Sequence, residues 1–327
     1  MGAATPLSEA AAEVTSPALQ ARSRWAGAGL VALSAAGFAT LSVFGKVGLA
    51  GGMTLAGMLS LRFAGAALVL ASGLAATRQR PRGLTWRAAA GLLALGALGY
   101  GVQSTLYFSG LQRVPASICA LLLYVYPLFV ALYDRVLNGR PLRRVSQAAL
   151  LVALVGVALT VRPSASGALD PLGLAFVAGS AAWYAGYIIA SERVVRRLGA
   201  WTSTTGIAVG AALAFTLGGW ATGTLDWSLS PDQVGLLIGL ILLSTVLPLA
   251  TFLAGVARLG PTTASIVSTL EPVFTAFLAA WVLRETLSPV QMVGGAFVLG
   301  AAALAQWPKS SDQLSVISDR LSASGDG

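Results

Sequence analysis

Residues 31–39 read VALSAAGFA and residues 177–185 read VAGSAAWYA, so six of nine positions are identical at an offset of 146 residues. Phe38 and Tyr184 form a conservative pair in the same alignment. Further matches keep the same order and nearly the same offset, which chance recurrence of small residues does not explain. They are Gly110, Arg113 and Pro127 against Gly255, Arg258 and Pro272 at 145 residues, and Gln147 and Gly156 against Gln291 and Gly300 at 144. The sequence therefore predicts two copies of one module.

The composition is that of an integral membrane protein. Of the 327 residues, 56% are hydrophobic and 10% are charged, with a mean hydropathy of +0.78, whereas soluble domains are about 25% charged. So few ionisable groups cannot cover the surface of a soluble enzyme or a nucleic-acid-binding domain. The chain has no histidine and one cysteine, Cys119, which argues against a disulfide, a metal centre and histidine-dependent catalysis. We expect no cofactor and no enzymatic activity.

Ten stretches are long and apolar enough to cross a bilayer, which takes about 20 residues of helix. Short breaks containing Pro, Gly and charged residues separate them, for example Arg162-Pro163. The ten predicted spans are 25–45, 53–76, 86–109, 115–134, 145–161, 171–190, 203–222, 234–256, 262–283 and 289–307.

The distribution of Lys and Arg predicts the orientation. If the chain starts inside and crosses at every stretch, sixteen basic residues fall inside and four outside, with Arg62 within a span. Such a bias is typical of cytoplasmic loops. It predicts a multi-pass protein of the plasma membrane, the inner membrane in a bacterium, with both termini cytoplasmic. The polar segments 1–24 and 308–327 are expected to be a disordered leader and tail.

Each module holds five of these spans, and five is an odd number. The second copy therefore enters the membrane from the opposite side, which predicts two inverted repeats in an all-α fold of ten transmembrane helices. Secondary transporters commonly have this architecture, with the substrate site near the midplane between the repeats. Two near-equivalent halves can exchange conformations, which gives inward-open and outward-open states of similar free energy.

Two segments at equivalent places in the modules resemble a known family. Residues 269–276 read TLEPVFTA, followed by LRETL at 283–287, and residues 124–131 read YVYPLFVA. These segments, with Arg62-Phe63, resemble the EamA-type family of the drug/metabolite transporter superfamily. Tyr126 departs from the pattern where the second repeat has Glu271, and so does the segment 140–142. The resemblance implies two five-helix repeats, residues 25–163 and 170–307, and transport of small organic solutes.

Glu271 is the most informative candidate site residue, because it lies about nine residues (~14 Å) into the ninth span, near the midplane. Ser268 and Thr275 share its helical face. Pro272 cannot donate to the carbonyl of Ser268, and Pro127 has the same effect in the first repeat, so both helices are expected to kink. The polar stripe is either a substrate or proton site or a structural group that holds the kink.

Other candidates for a cavity lining come from helical spacing. Tyr100, Gln103 and Tyr107 share one face with Ser104, which either lines a cavity or makes interhelical hydrogen bonds. Trp183 and Tyr187, four residues apart, could stack on an organic solute or pack in the core. Tyr126 shares a helical face with Cys119 and Tyr133 beside Pro127, where the kink either marks a transport site or serves packing. Arg62 faces a cavity and binds an anionic group, pairs with Glu271, or snorkels to the interface.

These features favour a secondary, alternating-access exporter or permease of small organic metabolites such as amino acids or drug-like solutes. The energy would come from a proton gradient or from the substrate's own gradient. The expected partners are the substrate, the lipid bilayer and protons, with no nucleic acid, and the chain would act as a monomer or homodimer. The alternative is a membrane-embedded enzyme or flippase acting on lipid-linked substrates, for which the chain offers a single midplane carboxylate.

Overall fold

The computed structural model describes residues 17–76, 84–138, 144–160, 168–259, 264 and 267–305. The described residues form helices and the turns between them, with no strands. We number the helices α1 Pro17–Ala50, α2 Leu55–Ala76, α3 Trp86–Leu111, α4 Ala116–Leu123, α5 Tyr126–Asn138, α6 Arg144–Thr160, α7 Pro171–Leu198, α8 Ala200–Ala221, α9 Pro231–Leu259, α10 Glu271–Val282 and α11 Pro289–Ala305.

Six of these helices, namely α1, α2, α3, α7, α8 and α9, are long and apolar enough to cross a membrane. Shorter apolar helical stretches lie within the other four predicted spans: Ala116–Val130, which includes the turn between α4 and α5, Gln147–Thr160, Glu271–Val282 and Pro289–Leu304. Helix α1 begins at Pro17, before Trp25, where the sequence predicts the start of the first span. The rest of the predicted disordered leader and all of the predicted tail, 308–327, lie outside the described residues.

Polar residues in the connections fix where several helices begin. Ser230 and Gln233 form a reciprocal capping box at α9, and Ser288 and Gln291 exchange the same two bonds at α11. These side chains satisfy backbone groups that have no partner within the helix. Asp170 caps α7. The Arg113 guanidinium, 3.0 Å away, and the Leu172 amide hold the pKa of the Asp170 carboxyl below its usual value.

The helices pack in pairs that interchange when the two repeats are exchanged. Helix α1 packs along α9 as α7 packs along α3, while α2 packs on α8 and α6 on α11. The glycine contacts show the same equivalence. A Cβ on Gly110 would lie 3.0 Å from the Gly173 carbonyl oxygen, and one on Gly255 would lie 3.1 Å from the Gly27 carbonyl oxygen. The sequence repeat is therefore also a repeat of packing.

Two helices change their winding at equivalent places. Helix α3 contains a π-helical segment, Leu95–Gly101, and α9 contains another, Leu242–Val246. Each such segment adds a residue to a turn and redirects the side chains on its C-terminal side. Both segments contribute residues to a central cavity.

Replacing Gly96 by alanine should destabilise the protein, because α3 and α8 approach there without side chains between them. A Cβ at this position would collide with the Ile207 carbonyl oxygen and lie 2.9 Å from the Gly210 Cα. We expect a loss of about 1–3 kcal/mol, as for other overpacked cores, measured as a lower midpoint of thermal unfolding in detergent. Gly91→Ala is the matched control on the same helix, since its Cβ would meet nothing within 4 Å. Equal stability of the two variants would contradict the close approach.

Candidate functional site

A cavity of about 350 Å³ lies at the centre of the bundle. Both repeats contribute to its wall, through α1, α2 and α3, the turn between α4 and α5, α7, α8 and α9, and the start of α10. Its polar and aromatic lining residues are Ser42, Arg62, Phe63, Tyr100, Gln103, Ser104, Tyr107, Phe108, Tyr124, Tyr126, Tyr184, Tyr187, Thr204, Thr245, Phe252, Ser268 and Glu271, with Phe38 beside them. Most of the remaining wall is aliphatic.

The helical segments that contain Tyr126-Pro127 and Glu271-Pro272 are each interrupted beside the cavity. In the first repeat α4 ends at Leu123, Tyr124 and Val125 form a turn, and α5 begins at Tyr126. In the second repeat a turn at 269–270 precedes α10, which begins at Glu271. Each proline thus lies in the first helical turn, where its missing N–H costs least. The expected kinks are full breaks in the helix.

The two breaks are joined by hydrogen bonds of Tyr124. Its hydroxyl oxygen lies 2.7 Å from the Ser268 carbonyl oxygen and 2.9 Å from Glu271 Oε2. The Ser268 carbonyl is the group that Pro272 leaves without a helical donor, so the first repeat supplies a donor to the second. Thr275, the third member of the predicted stripe, donates to the Glu271 carbonyl oxygen at 3.0 Å. Thr275 is buried and does not line the cavity.

Arg62 provides the positive charge of the cavity. Its side chain is only 2% exposed, which excludes snorkelling to the interface. Its Nε donates to Thr245 Oγ1 at 3.0 Å, and the guanidinium carbon lies 4.8 Å from the Phe63 ring centre. Among the described residues the ion pairs are Lys46–Glu285 and Arg113–Asp170, and Arg62 does not pair with Glu271. The cavity wall therefore carries one guanidinium and one carboxyl group that do not pair with each other.

A continuous series of aromatic contacts runs from the neighbour of Arg62 to the residue that contacts Glu271. Starting at Phe63, next to Arg62, it ends at Tyr124, which contacts Glu271. The successive centre-to-centre distances are 5.5 Å for Phe63–Tyr100, 5.6 Å for Tyr100–Tyr187, 6.0 Å for Tyr187–Tyr184, 5.0 Å for Tyr184–Tyr126 and 6.1 Å for Tyr126–Tyr124. We call these six residues the aromatic wall. Such rings offer apolar faces and polarisable edges to an organic solute.

The α3 candidates combine both roles that the sequence left open. Gln103 lines the cavity, and its amide donates to Ser180 Oγ at 3.1 Å. Tyr107 also lines it, and its hydroxyl is 2.7 Å from Ser42 Oγ. These side chains therefore join neighbouring helices and face the cavity at once.

The structure places Trp183 elsewhere. Its indole is 46% exposed, and its Nε1 donates to the carbonyl oxygens of Leu98 and Gly99 at 2.9 and 3.1 Å. Both carbonyls belong to the π-helical segment of α3, where the changed winding alters the backbone bonding. Trp183 thus bonds this segment from outside the cavity, whereas Tyr187 lines the cavity.

Sequence reasoning missed several lining residues. Tyr184 aligns with Phe38 in the repeat but is not among the predicted site residues, although both contribute to the cavity. Their shared place in the alignment was the available signal. Tyr124 is the first residue of the YVYPLFVA segment, but its spacing does not predict that it contacts the second repeat. That contact depends on the turn after α4, which brings its hydroxyl to the Ser268 carbonyl. Thr245 has no comparable signal, since it depends on the π-helical segment of α9.

Outside the cavity lining, the carboxyl group of Glu285 joins three parts of the chain. Glu285 Oε1 accepts from Lys46 Nζ at 2.9 Å and from the Ala116 amide at 2.8 Å. Its Oε2 accepts from the amide and the hydroxyl of Ser117 at 3.2 and 3.1 Å. Lys46 lies one helical turn beyond Ser42. We refer to Lys46, Glu285 and the first turn of α4 as the polar latch.

The chain is similar in sequence to known membrane transporters. The sequence model of the EamA-like transporter family matches twice, at residues 25–162 and 171–306. The threonine/homoserine exporter RhtA of Escherichia coli strain K12 is 28% identical over 212 residues, covering 64% of this chain and 67% of RhtA. The uncharacterized transporter YcbK of Bacillus subtilis is 28% identical over 231 residues, covering 66% of this chain and 70% of YcbK.

A solved crystal structure shows the same fold. Its TM-score is 0.60 at 19% sequence identity, and the match covers 87% of this chain and 96% of that one. The agreement extends over nearly the whole of the other chain, so both repeats share their arrangement with it.

Proposed function

This chain belongs to the EamA-like transporter family, and we propose that it works as a secondary transporter that binds its substrate in the central cavity and releases it by alternating access. Membership confirms the resemblance seen in the TLEPVFTA and YVYPLFVA segments. The chain is a multi-pass membrane protein and a transporter of small metabolites, as its relatives are named transporters and exporters.

The observation that carries the proposal is the cavity itself. It is lined by both repeats, and among the described residues its wall holds one buried guanidinium, Arg62, and one carboxyl group, Glu271. Charged groups at membrane depth are costly and mark substrate or ion pathways. The interchangeable helix pairs and the two equivalent helix breaks support two inverted five-helix repeats, ten spans in all. Broken helices at corresponding positions are the best pointer to a transport site in such folds.

We propose amino acids, or metabolites with the same two charged groups, as the substrate class. Arg62 suits a carboxylate, because a guanidinium offers several donors in a planar fork. Glu271 suits an ammonium group, and the aromatic wall between them suits the side chain. The similarity to a threonine/homoserine exporter supports this class.

The proposed orientation places both termini in the cytoplasm, with the polar latch on the outer side. The support is the distribution of Lys and Arg, which alternates across the spans as cytoplasmic loops require. In a bacterium the membrane would be the inner membrane.

Counterflow in proteoliposomes tests the function. Vesicles loaded with unlabelled threonine should accumulate labelled threonine transiently and saturably, and a panel of amino acids should compete to different extents. An ohmic current without counterflow would indicate a channel instead. Movement of a labelled lipid between leaflets, with no amino-acid counterflow, would favour the flippase alternative.

A further inference from the structure

The hydroxyl group of Tyr124 has two acceptors and one proton. Its oxygen lies 2.7 Å from the Ser268 carbonyl oxygen and 2.9 Å from Glu271 Oε2. A hydroxyl donates one hydrogen bond and accepts others, so the second short contact needs a proton from its partner. A carbonyl has no proton to give. Only the carboxyl group of Glu271 can supply it.

The Ser268 carbonyl has the stronger need for the Tyr124 proton. In an unbroken helix the amide of residue 272 would donate to it, but that residue is proline. In the hydrocarbon core of a bilayer, a backbone carbonyl without a hydrogen-bond donor raises the free energy of the folded state by several kcal/mol. The hydroxyl of Tyr124 replaces the missing amide, and it comes from the other repeat.

We infer that Glu271 is protonated in this conformation, and that Tyr124 couples the protonation of Glu271 to the helix break before α10. In the protonated form, the Glu271 carboxyl donates to the Tyr124 oxygen and Tyr124 donates to the Ser268 carbonyl. When that proton leaves for the cavity, the carboxylate takes the Tyr124 hydrogen in a charge-assisted bond. Tyrosine keeps its proton throughout, and the Ser268 carbonyl loses its donor.

This coupling deepens the proposed transport function, on which its use in a cycle rests. Loss of the bond between Tyr124 and Ser268 releases a link between the two repeats at their breaks. A proton on Glu271 therefore keeps the break before α10 bonded to Tyr124, and its departure leaves the Ser268 carbonyl free while the Tyr124–Glu271 bond remains. Tyr124 is a positioning residue here, because the protonation of Glu271 acts on the break through it.

The surroundings of Glu271 contain no competing charge partner among the described residues. The phenols of Tyr107, Tyr126 and Tyr184 line the same cavity from α3, α5 and α7, and Arg62 lines it from α2. Helices α1, α8 and α9 contribute the neutral hydroxyls Ser42, Thr204 and Thr245. Arg62 forms no ion pair with Glu271. Among the described residues no cation is paired with the Glu271 carboxylate, so a bound proton neutralises it.

Infrared difference spectroscopy on the full-length protein in liposomes tests the inference without transport. A carbonyl-stretch band of a protonated carboxyl should disappear on alkaline titration, and Glu271→Gln should lack it. In Tyr124→Phe the Ser268 carbonyl has no donor in either protonation state, so the amide-carbonyl difference band that accompanies loss of the carboxyl band in the wild type should be absent. Tyr133→Phe makes the same chemical change on α5 outside the cavity, and its difference bands should match those of the wild type.

A second readout needs no Tyr124 variant. In the wild type a tyrosine C–O band should change with the same midpoint as the carboxyl band, and it should be silent in Glu271→Gln. Persistence of the carboxyl band in Glu271→Gln, or an amide-carbonyl response in Tyr124→Phe equal to that of the wild type, would overturn the inference. Counterflow on the same liposomes keeps the two questions apart. Absent counterflow refutes the transport proposal, whereas the titration result stands on its own.

Discussion

Replacing Arg62 by glutamine should lower the transport of carboxylate-bearing substrates by about 30- to 1,000-fold at concentrations below KM. A charge-assisted bond lost from a buried site is worth about 2–4 kcal/mol, and each 1.4 kcal/mol is about tenfold. Arg62 is 2% exposed and lines the cavity, so no water-filled shell replaces the lost contact. The measurement is initial-rate counterflow of labelled threonine in proteoliposomes.

Two matched variants show whether the charge or its placement matters. Arg62→Lys keeps the charge without the planar fork, so we expect an intermediate loss. Thr245→Val removes the hydroxyl that accepts from Arg62 Nε at 3.0 Å and should give a smaller defect in KM. A substrate analogue without the carboxylate should lose little in Arg62→Gln. If all substrates are affected equally while the protein remains folded, Arg62 is not the carboxylate site.

Removing the carboxylate of Glu285 should cause a large loss of stability. Glu285→Ala leaves the amides of Ala116 and Ser117 without their acceptor. The Lys46 ammonium loses its carboxylate and keeps only the Val114 carbonyl, at 2.9 Å. The side chains of Lys46 and Glu285 are 28% and 13% exposed, so water only partly replaces the lost bonds. We expect a cost of about 2–3 kcal/mol, seen as a lower midpoint of thermal unfolding in detergent.

A double-mutant cycle with Lys46→Met separates the ion pair from the helix cap. If the pair contributes, the double variant should be more stable than the sum of the single effects predicts. The remaining loss in the Lys46→Met background reports the cap of α4. Glu285→Gln keeps one acceptor oxygen and should lose less than Glu285→Ala. Wild-type stability of Glu285→Ala would show that the polar latch contributes nothing to the fold.

The conformation at Arg284 shows that the polar latch is held under some strain. Arg284 has a φ of 57°, in the left-handed region that favours glycine. This turn ends α10 and directs the next residue, Glu285, towards the first turn of α4. Strained backbone persists where the surrounding contacts hold it in place, and the four bonds of Glu285 do so here.

The pattern of polar and apolar residues did not predict which helix faces line the cavity. In a soluble protein a polar stripe marks the solvent side, whereas here apolar residues face both lipid and protein. The sequence spacing grouped Trp183 with Tyr187, yet the cavity receives Tyr184 and Tyr187, and Trp183 bonds the π-helical segment of α3 instead. Tyr124 was likewise invisible as a site residue, since its partners are about 145 positions away in the chain.

The sequence alone determined that the chain enters the membrane, that it contains two copies of one module, and that equivalent helices are interrupted at Pro127 and Pro272. These properties follow from local chemistry: apolar runs of sufficient length, an internal repeat, and a residue without an amide proton. Only the tertiary structure decided which side chains meet in the cavity, because helix breaks and π-helical segments rotate the helical turns beyond them. Contacts such as Tyr124 with Ser268, or Lys46 with Glu285, exist only once distant helices have packed.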